Sequence, residues 1–545
     1  MKLQIKKLSS LCKVFLDEEP MGDYVNGEIF QNERLSFQLG YCAKEDITLA
    51  DFFLTVSTSH THAVQLFTVE NVPSALPCYP DADDDYLRRA PGLFPDVLVP
   101  LTVPLRLTCP SWHALWFEID CTQCAIGEQS ILVTLAVSDG TVITTHFDFT
   151  VLPGFLPKQR LICTQWLHYD CLSDFYHVKP LSVQHMKRVW QYVDHAVCHG
   201  MNMLLIPLVT PPLDTLPGHE RPTVQLLDIT LQNGTYTFGF TRLHRFLNTA
   251  LRHGIVYFEM TPLFTQWGAA HAPKIMANVN GRETQIFGWE TQSDSPAYTS
   301  FLRAMLCELA DKLKQWGLQT RCYFHISDEP QEPEHFLFYK KAYTLMADCL
   351  PGFEIMDTLS SAAFYKEGFV KHPIAATDAF ERLTQAGAQD MWVYYCCAQY
   401  KKVSNHFMAM PPRRTRIFGA QLYRQNVWGF LHWGFNFWNG KYSERHINPY
   451  AVTDAGGVFP SGDPFLVYPG NDGPVSSTRQ KVLREALYDN RALQWLEMLC
   501  GRAAVCSILD SVGPLTFEEY PRSENALLHL RHNINMAILK ANTFH

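Results

Sequence analysis

The stretch Arg321-Cys322-Tyr323-Phe324-His325-Ile326-Ser327-Asp328-Glu329-Pro330 joins an apolar run to two adjacent acidic residues. Residues 321–326 are aromatic and apolar enough to predict a buried strand. Pro330 has no N–H to donate and cannot continue a central strand, so the strand should end before it. Asp328 and Glu329 are therefore expected at the carboxyl end of the strand, above the sheet.

Strands and helices alternate on both sides of this stretch. Helices are predicted over residues 183–199, 242–253 and 297–316, each followed by a glycine that favours helix termination. The predicted strands are residues 160–166, 203–208, 255–260, 321–326, 353–357, 374–378, 391–396 and 429–438. Eight strand–helix units over this length predict an α/β fold with a (β/α)8 TIM barrel, which typically takes ~250 residues. An open doubly wound sheet is the alternative, but no Gly-x-Gly-x-x-Gly follows the first strand.

The regions flanking the barrel have different patterns. Residues 1–153 are rich in short strands, such as 47–56, 130–137 and 141–151, and they predict an N-terminal antiparallel β-sandwich domain. Residues 154–475 form the predicted barrel domain. Residues 476–545 begin with an amphipathic helix over 477–500, and they predict a C-terminal helical/β extension that packs back on the barrel.

Composition narrows the class of protein. The chain has 545 residues with 47% hydrophobic and 18% charged residues, which is typical of a folded protein of two or three domains. A net charge of −9 and the lack of a basic run argue against nucleic acid as a partner. No segment approaches 18 apolar residues, which argues against a membrane span. The stretch after the first basic residues is too short and too polar to be the hydrophobic region of a signal peptide. A cytoplasmic location is therefore expected, with the 16 cysteines as free thiols.

Asp328 and Glu329 carry the most specific chemical signal. Like charges on neighbouring residues resist ionising together, which separates their pKa values. A protonated carboxyl beside an ionised one is the combination that glycosidic-bond cleavage requires. The alternative is two solvated carboxylates that open a loop. The chain contains no Gly-x-Ser-x-Gly motif and no phosphate-binding loop, so acyl transfer and nucleotide chemistry have little support.

Polar and aromatic residues recur at the predicted strand ends, which predicts a substrate-binding pocket there. Taken one at a time, the tryptophans could be ordinary core and the histidines could be bonded to backbone carbonyls. Metal binding by His168, Asp170 and His325 is a further alternative, but none of these residues belongs to a His-x-x-x-His or His-Glu-x-x-His pattern, and no metal or other cofactor is expected. The candidate substrate-binding residues are Trp166, His168, Asp170, Trp267, His271, His325, Tyr395, Asn405, Trp433, Asn436 and Trp438.

From about residue 155 to 500 the chain resembles the catalytic domain of glycoside hydrolase family 123 and its bacterial relatives. The motifs that carry the resemblance are residues 325–330, residues 429–436, and residues 461–463 with 468–470. Arg479, Arg484, Glu485 and Asp489 on the following helix also match the pattern.

The resemblance implies a β-N-acetylgalactosaminidase with a retaining, substrate-assisted mechanism. The 2-acetamido oxygen of the substrate would attack C1. Asp328 would orient the acetamide, and Glu329 would act as general acid and then as general base. Neighbouring residues of a regular strand point to opposite faces, so the two carboxylates can share a pocket only if the strand breaks there.

The leading hypothesis is therefore an exo-acting β-N-acetylhexosaminidase that favours N-acetylgalactosamine on an oligosaccharide or glycoconjugate. Two alternatives remain. One is a glycosidase for a sugar without the acetamido group, with Glu259 or Asp170 as nucleophile. The other is a non-catalytic carbohydrate-binding or scaffold protein. The sequence leaves a homo-oligomer open.

Overall fold

The computed structural model of the protein describes residues 3–24, 26–43, 53–59, 63–106, 110–330 and 332–542. Of the predicted strand 47–56, residues 53–56 are in a strand and residues 47–52 lie outside the described residues. The amino-terminal strands are β1 (Leu3–Ser9), β2 (Gly27–Phe30), β3 (Arg34–Ala43), β4 (Phe53–Thr58), β5 (Val64–Ser74), β6 (Gly92–Pro100), β7 (Leu105–Arg106), β8 (Trp112–Asp120), β9 (Gly127–Val137) and β10 (Val142–Leu152).

These strands form two sheets that enclose an apolar core. The strand orders are β1-β3-β8-β5-β6 and β2-β10-β9-β4-β7. Phe37 on β3 stacks on Phe147 on β10 with ring centroids 3.8 Å apart, which joins the two sheets. Alternate residues of β10 enter the same core, as the alternation of residues 141–151 predicts.

One strand pair differs from the predicted antiparallel sandwich. The edge strand β2 runs parallel to β10, with Glu28 opposite Thr150. Because β2 and β10 are far apart in the sequence, no hairpin turn dictates an antiparallel direction.

The rest of the chain contributes the parallel sheet and two smaller sheets. Its strands are β11 (Ile162–Gln165), β12 (Met203–Ile206), β13 (Asp228–Gln232), β14 (Thr235–Gly239), β15 (Tyr257–Met260), β16 (Ile275–Val279), β17 (Arg282–Phe287), β18 (Cys322–His325), β19 (Glu354–Met356), β20 (Thr358–Leu359), β21 (Ile374–Ala376), β22 (Trp392–Tyr394), β23 (Gly429–His432), β24 (Val467–Gly470) and β25 (Gly473–Ser476).

The central sheet is a nearly closed parallel barrel. Among the described residues its nine strands follow the order β19-β18-β15-β12-β11-β23-β22-β21-β20, and each neighbouring pair is parallel. Only Asp357 separates β19 from β20 in the sequence. The predicted α/β class is therefore confirmed as a mixed fold built on a parallel barrel.

Helices connect the barrel strands and follow them at the carboxyl end. Ser182 and Ser477 cap two of them, since each hydroxyl accepts a hydrogen bond from a backbone N–H of the first turn. The helices are α1 (Tyr169–Phe175), α2 (Val183–Cys198), α3 (Thr241–Arg252), α4 (Pro296–Gln315), α5 (Phe336–Cys349), α6 (Ala362–Lys366), α7 (Phe380–Gln385), α8 (Pro412–Arg416), α9 (Phe418–Arg424), α10 (Thr478–Cys500), α11 (Arg502–Asp510) and α12 (Glu524–Asn542). No helix in the described part of the chain combines the length and apolar character needed to cross a membrane.

The last barrel strand is shorter than the predicted strand 429–438. The strand β23 ends at His432, and the following residues leave the sheet to pack on residues 463–465. Gly434 lies so close to this segment that an added Cβ would be 2.4 Å from the carbonyl oxygen of Pro464. The aromatic residues 433–438 therefore form a loop above the barrel.

Side chains alternate between the inside and the outside of the barrel, as a parallel barrel requires. On β22, Tyr394 belongs to the cluster that fills the barrel, whereas Val393 and Tyr395 pack under the surrounding helices. The barrel-filling cluster consists of Ile162, Trp166, Met203, Leu205, Leu213, Met356, Ile374, Ala376, Ala379, Trp392, Tyr394 and Leu431.

Buried ion pairs join helix α10 to the sandwich. The carboxylate of Glu118 on β8 accepts hydrogen bonds from Arg484 at 2.6 Å and lies 2.9 Å from the Lys481 ammonium. Asp96 on β6 accepts two bonds of 2.9 Å from Arg479. Burial opposes ionisation of Glu118, but Arg484 and Lys481 hold its pKa well below the usual value. Helix α10 is thus bonded to the sandwich by charges that have no access to water.

Candidate active site

The backbone breaks away from the sheet at Asp328 and Glu329. Strand β18 ends at His325, and both acidic residues have positive φ angles, 109° and 46°. Residues other than glycine rarely adopt such angles, and they cost on the order of 1–3 kcal/mol each. The backbone N–H of Trp267 donates to the Asp328 carbonyl at 3.0 Å, which helps to hold this conformation. The break that a shared pocket requires is therefore present.

The two carboxylates have different partners. Asp328 is 6% exposed, and its two oxygens accept hydrogen bonds of 2.6 Å from Thr358 and Gln266. The Oε1 of Glu329 accepts a 2.7 Å hydrogen bond from the Tyr394 hydroxyl. The Thr358 hydroxyl also accepts the backbone N–H of Glu329 at 2.9 Å. Thr358 therefore positions both acidic residues relative to each other.

A buried imidazole supports the pair from below. His325 is fully buried, with Nδ1 2.9 Å from Glu259 and Nε2 2.9 Å from Asp357. Burial alone would lower the pKa of His325, but the two carboxylates hold it well above the usual value, so the ring is an imidazolium. His325 is thus part of the support beneath the site.

Glu259 was one candidate nucleophile, and its surroundings count against that role. Its carboxylate is fully buried and accepts hydrogen bonds from Thr164 at 3.1 Å and from the Trp166 indole at 2.9 Å, besides its contact with His325. With both oxygens occupied in this way, Glu259 orients Trp166 and His325 and does not face a substrate.

The pKa values of Asp328 and Glu329 are both raised. Burial raises the pKa of Asp328 to about 6, against the opposing charge of His325. Burial and the neighbouring charge of Asp328 raise the pKa of Glu329 to about 7. The ionised form of one carboxyl therefore favours the protonated form of the other, and the order of the values favours Glu329 as the residue that keeps the proton.

A second buried group lies at the end of β11. Arg221 donates two 2.7 Å hydrogen bonds to Asp170 and one of 3.0 Å to Nδ1 of His168. Burial and the charge of Arg221 lower the pKa of His168 to about 3, so its ring is neutral and Nε2 donates to the Trp433 carbonyl at 2.8 Å. Asp170 is thereby neutralised by a cation, which counts against its role as a nucleophile.

His325, Asp328 and Asp357 also come close enough to be considered as metal ligands, with one donor atom of each within 4.8 Å of the others. Both ring nitrogens of His325 are already bonded to carboxylates, and its positive charge offsets part of theirs. At His168 and Asp170, the other residues considered for metal, Arg221 supplies the positive charge.

Some of the predicted substrate-binding aromatics line the same end of the barrel. Trp433 is half-buried, packs against the barrel-filling cluster and donates its indole N–H to Asp463 at 3.2 Å. Trp267 is half-buried beside Asp328 and makes an edge contact with Tyr442. Trp166 is buried deeper, 5.8 Å from the His325 ring. His271 is half-buried but lies against Trp289, with ring centroids 5.9 Å apart.

Four predicted substrate-binding residues have structural contacts elsewhere. Tyr395 points away from the barrel axis and bonds His406 at 3.1 Å. Asn405 is buried and donates to the carbonyls of residues 396 and 399. Asn436 is bonded to the backbone of His168 in both directions, and Trp438 donates to the Val467 carbonyl. These contacts hold the four side chains against the loops or helices around the barrel, and their role in substrate binding stays a prediction.

Sequence reasoning missed Gln266, Thr358, Tyr394 and Asp357. Two signals were available for them. Gln266 directly precedes Trp267, and Tyr394 alternates with Tyr395 on a strand whose inward positions were not assigned. Asp357 and Thr358 follow a predicted strand end, but nothing in their local sequence indicates contact with residues thirty positions earlier.

The model of the glycoside hydrolase 123 catalytic domain matches residues 166–496, which is more than half of the chain and includes Asp328 and Glu329. The chain belongs to glycoside hydrolase family 123. The resemblance drawn from the motifs at residues 325–330 and 429–436 is thereby confirmed.

One solved structure agrees with this family at the level of fold. A family 123 glycoside hydrolase from Clostridium perfringens, studied for the details of glycolipid glycan hydrolysis, is similar with a TM-score of 0.74 and 14% identity, over 100% of this chain and 98% of that chain. A family 5 xyloglucanase from Bacteroides ovatus has a TM-score of 0.29 and 9% identity over 89% of this chain and 100% of that chain. No curated protein sequence matches this family 123 chain.

The raised pKa of Glu329 has a consequence for stability. Because it lies above the unfolded value of about 4.3, the folded protein binds more protons than the unfolded chain between about pH 4.3 and 7, and stability falls as the pH rises through this window. Glu329→Gln removes this titration. The variant should therefore melt at a higher temperature than the wild type at pH 8, with the difference shrinking toward pH 4.5.

Differential scanning calorimetry across this pH range measures the effect. Glu332→Gln, an exposed position in the same loop, is the matched control and should keep the wild-type dependence. Equal pH dependence in the wild type and Glu329→Gln would mean that Glu329 does not titrate with a raised pKa.

Proposed function

We propose that this family 123 protein is an exo-acting β-N-acetylhexosaminidase that removes terminal N-acetylgalactosamine with retention of configuration. The observation that carries the proposal is the pair formed by buried Asp328 and half-buried Glu329, whose carboxylates have separate partners and raised pKa values. A substrate-assisted mechanism needs two carboxyl groups that act on neighbouring atoms of one sugar ring, and adjacent residues suit that requirement.

Asp328 takes the part of the acetamide-orienting group. It is the more acidic of the two, and Gln266 and Thr358 fix its carboxylate. Each carboxylate oxygen keeps acceptor capacity beyond the bond it already makes. Asp328 can therefore accept the acetamide N–H, which directs the acetamide oxygen toward C1 and stabilises the positive charge that develops as this oxygen attacks.

Glu329 takes the part of the general acid and base. The Tyr394 hydroxyl donates to Oε1, which leaves Oε2 to carry the proton. In the first step the proton passes to the glycosidic oxygen as the bond to C1 breaks. In the second step the ionised Glu329 removes a proton from the water that attacks C1 of the oxazolinium intermediate. A pKa of about 7 suits both directions of transfer near neutral pH.

The alternatives receive less support. A glycosidase without acetamide participation needs a separate carboxylate nucleophile, whereas Glu259 and Asp170 are held in buried contacts. A non-catalytic binding protein has no use for an acid with a raised pKa beside an ionised carboxylate. The similar Clostridium perfringens enzyme was studied for glycolipid glycan hydrolysis, and this supports a glycoconjugate as the substrate proposed here.

We also propose that the barrel is of the (β/α)8 type, with β19 and β20 as one strand interrupted at Asp357, which gives eight strand positions. The boundaries 1–153, 154–475 and 476–545 stay predictions. So do the cytoplasmic location, the homo-oligomer and the independence from metals and other cofactors.

Hydrolysis of chromogenic β-N-acetylgalactosaminide and β-N-acetylglucosaminide tests the proposal directly. Turnover of the galactosaminide should exceed that of the glucosaminide, and a thiazoline mimic of the oxazolinium intermediate should inhibit both. NMR of the first-formed product should identify the β-anomer. Folded protein that turns over neither substrate, or turnover that the thiazoline does not inhibit, would contradict the proposal.

The two acidic residues should differ in their dependence on the leaving group. Glu329→Gln should lose several tenfold steps in kcat/KM, each ~1.4 kcal/mol of barrier, on a substrate with a poor leaving group, and fewer on an aryl leaving group of low pKa. Asp328→Asn should reduce both to a similar extent, because acetamide attack assists departure of either group. Parallel kinetics on the two substrates provide the measurement, and equal losses in both variants would contradict the assigned roles.

Tyr394→Phe should move the alkaline limb of the pH profile of kcat/KM to higher pH. The Tyr394 hydrogen bond stabilises ionised Glu329, so removing it raises the pKa of Glu329, by roughly half a unit to one unit for a bond of ~1 kcal/mol. Tyr395→Phe is the matched control, since Tyr395 bonds His406 outside the barrel, and its profile should match the wild type. Coincident profiles for the two variants would refute this role of Tyr394.

A further inference from the structure

A cavity of about 790 Å³ lies far from the barrel site, between strands β2 and β3 of the sandwich and helices α10 and α12. None of its lining residues belongs to the site around Asp328 and Glu329. Sites for small molecules typically measure roughly 300–1,000 Å³, so the cavity has the size of a binding site. The catalytic mechanism makes no use of it.

The chemistry of the lining is rich in hydroxyl, amide and ring groups. Ser36 on β3 is 6% exposed, and its hydroxyl has no hydrogen-bond partner in the part of the chain that the structure describes. Asn525 on α12 and the rings of Tyr24, Tyr488 and His529 also line the cavity. Aromatic faces pack against the C–H faces of pyranose rings, while hydroxyl and amide groups can both donate and accept hydrogen bonds.

Each arginine of the lining is paired with a carboxylate. Arg531 donates to Glu33 at 2.6 Å and to Asp489 at 2.7 Å. Arg416 is paired with Glu485 and Asp489. Three arginines line the cavity, at positions 34, 416 and 531, and so do three glutamates, at positions 28, 33 and 485. A charged ligand would have to break a buried ion pair, which is costly. The lining therefore favours a neutral, polar ligand.

We infer that this cavity is a second, non-catalytic binding site for a neutral saccharide of two or three pyranose rings. Hydroxyl groups on every side of such a ligand match a lining that offers donors and acceptors without net charge. Because the walls come from the sandwich and from α12, a bound saccharide bridges the two ends of the sequence. Binding of the saccharide should therefore stabilise the packing of α12 against the sandwich.

Lactose and cellotriose are suitable probes, because neither carries the acetamido group that the proposed catalytic site requires. Saturation-transfer NMR and calorimetry on the full-length protein should detect binding of at least one of them at one site per chain, with a millimolar or lower Kd. The same saccharide should raise the melting temperature. In competition, 3′-sialyllactose, which carries a carboxylate, should bind more weakly than lactose.

Three variants on exposed positions of α12 locate the site. Asn525→Trp places a large ring in the cavity and should weaken binding at least about tenfold, which is ~1.4 kcal/mol. Met536→Trp, on the exposed part of α12 outside the lining, is the matched control and should bind like the wild type. His529→Ala removes one ring from the lip and should weaken binding several-fold. All three should hydrolyse a small chromogenic substrate at the wild-type rate.

The inference would be overturned if neither neutral saccharide bound, or if Asn525→Trp and Met536→Trp bound equally well. Preferred binding of 3′-sialyllactose would overturn the assignment to a neutral ligand. If the wild type did not hydrolyse the chromogenic substrate, only the proposed catalytic function would be contradicted, because the binding measurements do not depend on hydrolysis.

Discussion

The site depends on a protonated histidine held between two carboxylates inside the barrel. His325 bonds Glu259 and Asp357, and these contacts tie strand β18 to β15 and to the break between β19 and β20. Removing one partner of such a buried arrangement costs about 3–5 kcal/mol, because the remaining charge is left without compensation. Glu259 also accepts a hydrogen bond from the Trp166 indole. Thr358, which follows Asp357, bonds both Asp328 and Glu329.

The conformation of Asp328 and Glu329 is unfavourable in isolation. Two successive residues with positive φ persist only where the surroundings hold them. Trp267 and Thr358 supply those contacts through the carbonyl of Asp328 and the N–H of Glu329. The arrangement is thus formed before any substrate arrives, and binding energy is not needed to create it.

The place of Asp328 and Glu329 just after a strand and the positions of most barrel strands along the chain could be predicted from the sequence, because apolar runs and helix-ending glycines are local signals. Which side of a strand faces the barrel was harder to predict. Strand β22 has only three residues, too few for alternation to distinguish Tyr394 from Tyr395. Thr358 and Gln266 reach Asp328 from distant parts of the chain, and a single sequence carries no signal for such contacts.

The ion pairs that join α10 to the sandwich bear on how this architecture can be inherited. Glu118 and Arg484 are each 1% exposed, so a fragment with only one of them would carry an uncompensated charge in its interior. Sandwich, barrel and α10 are therefore expected to unfold as a single cooperative unit. Recombination that exchanged the sandwich for an unrelated module would be selected against unless α10 changed with it.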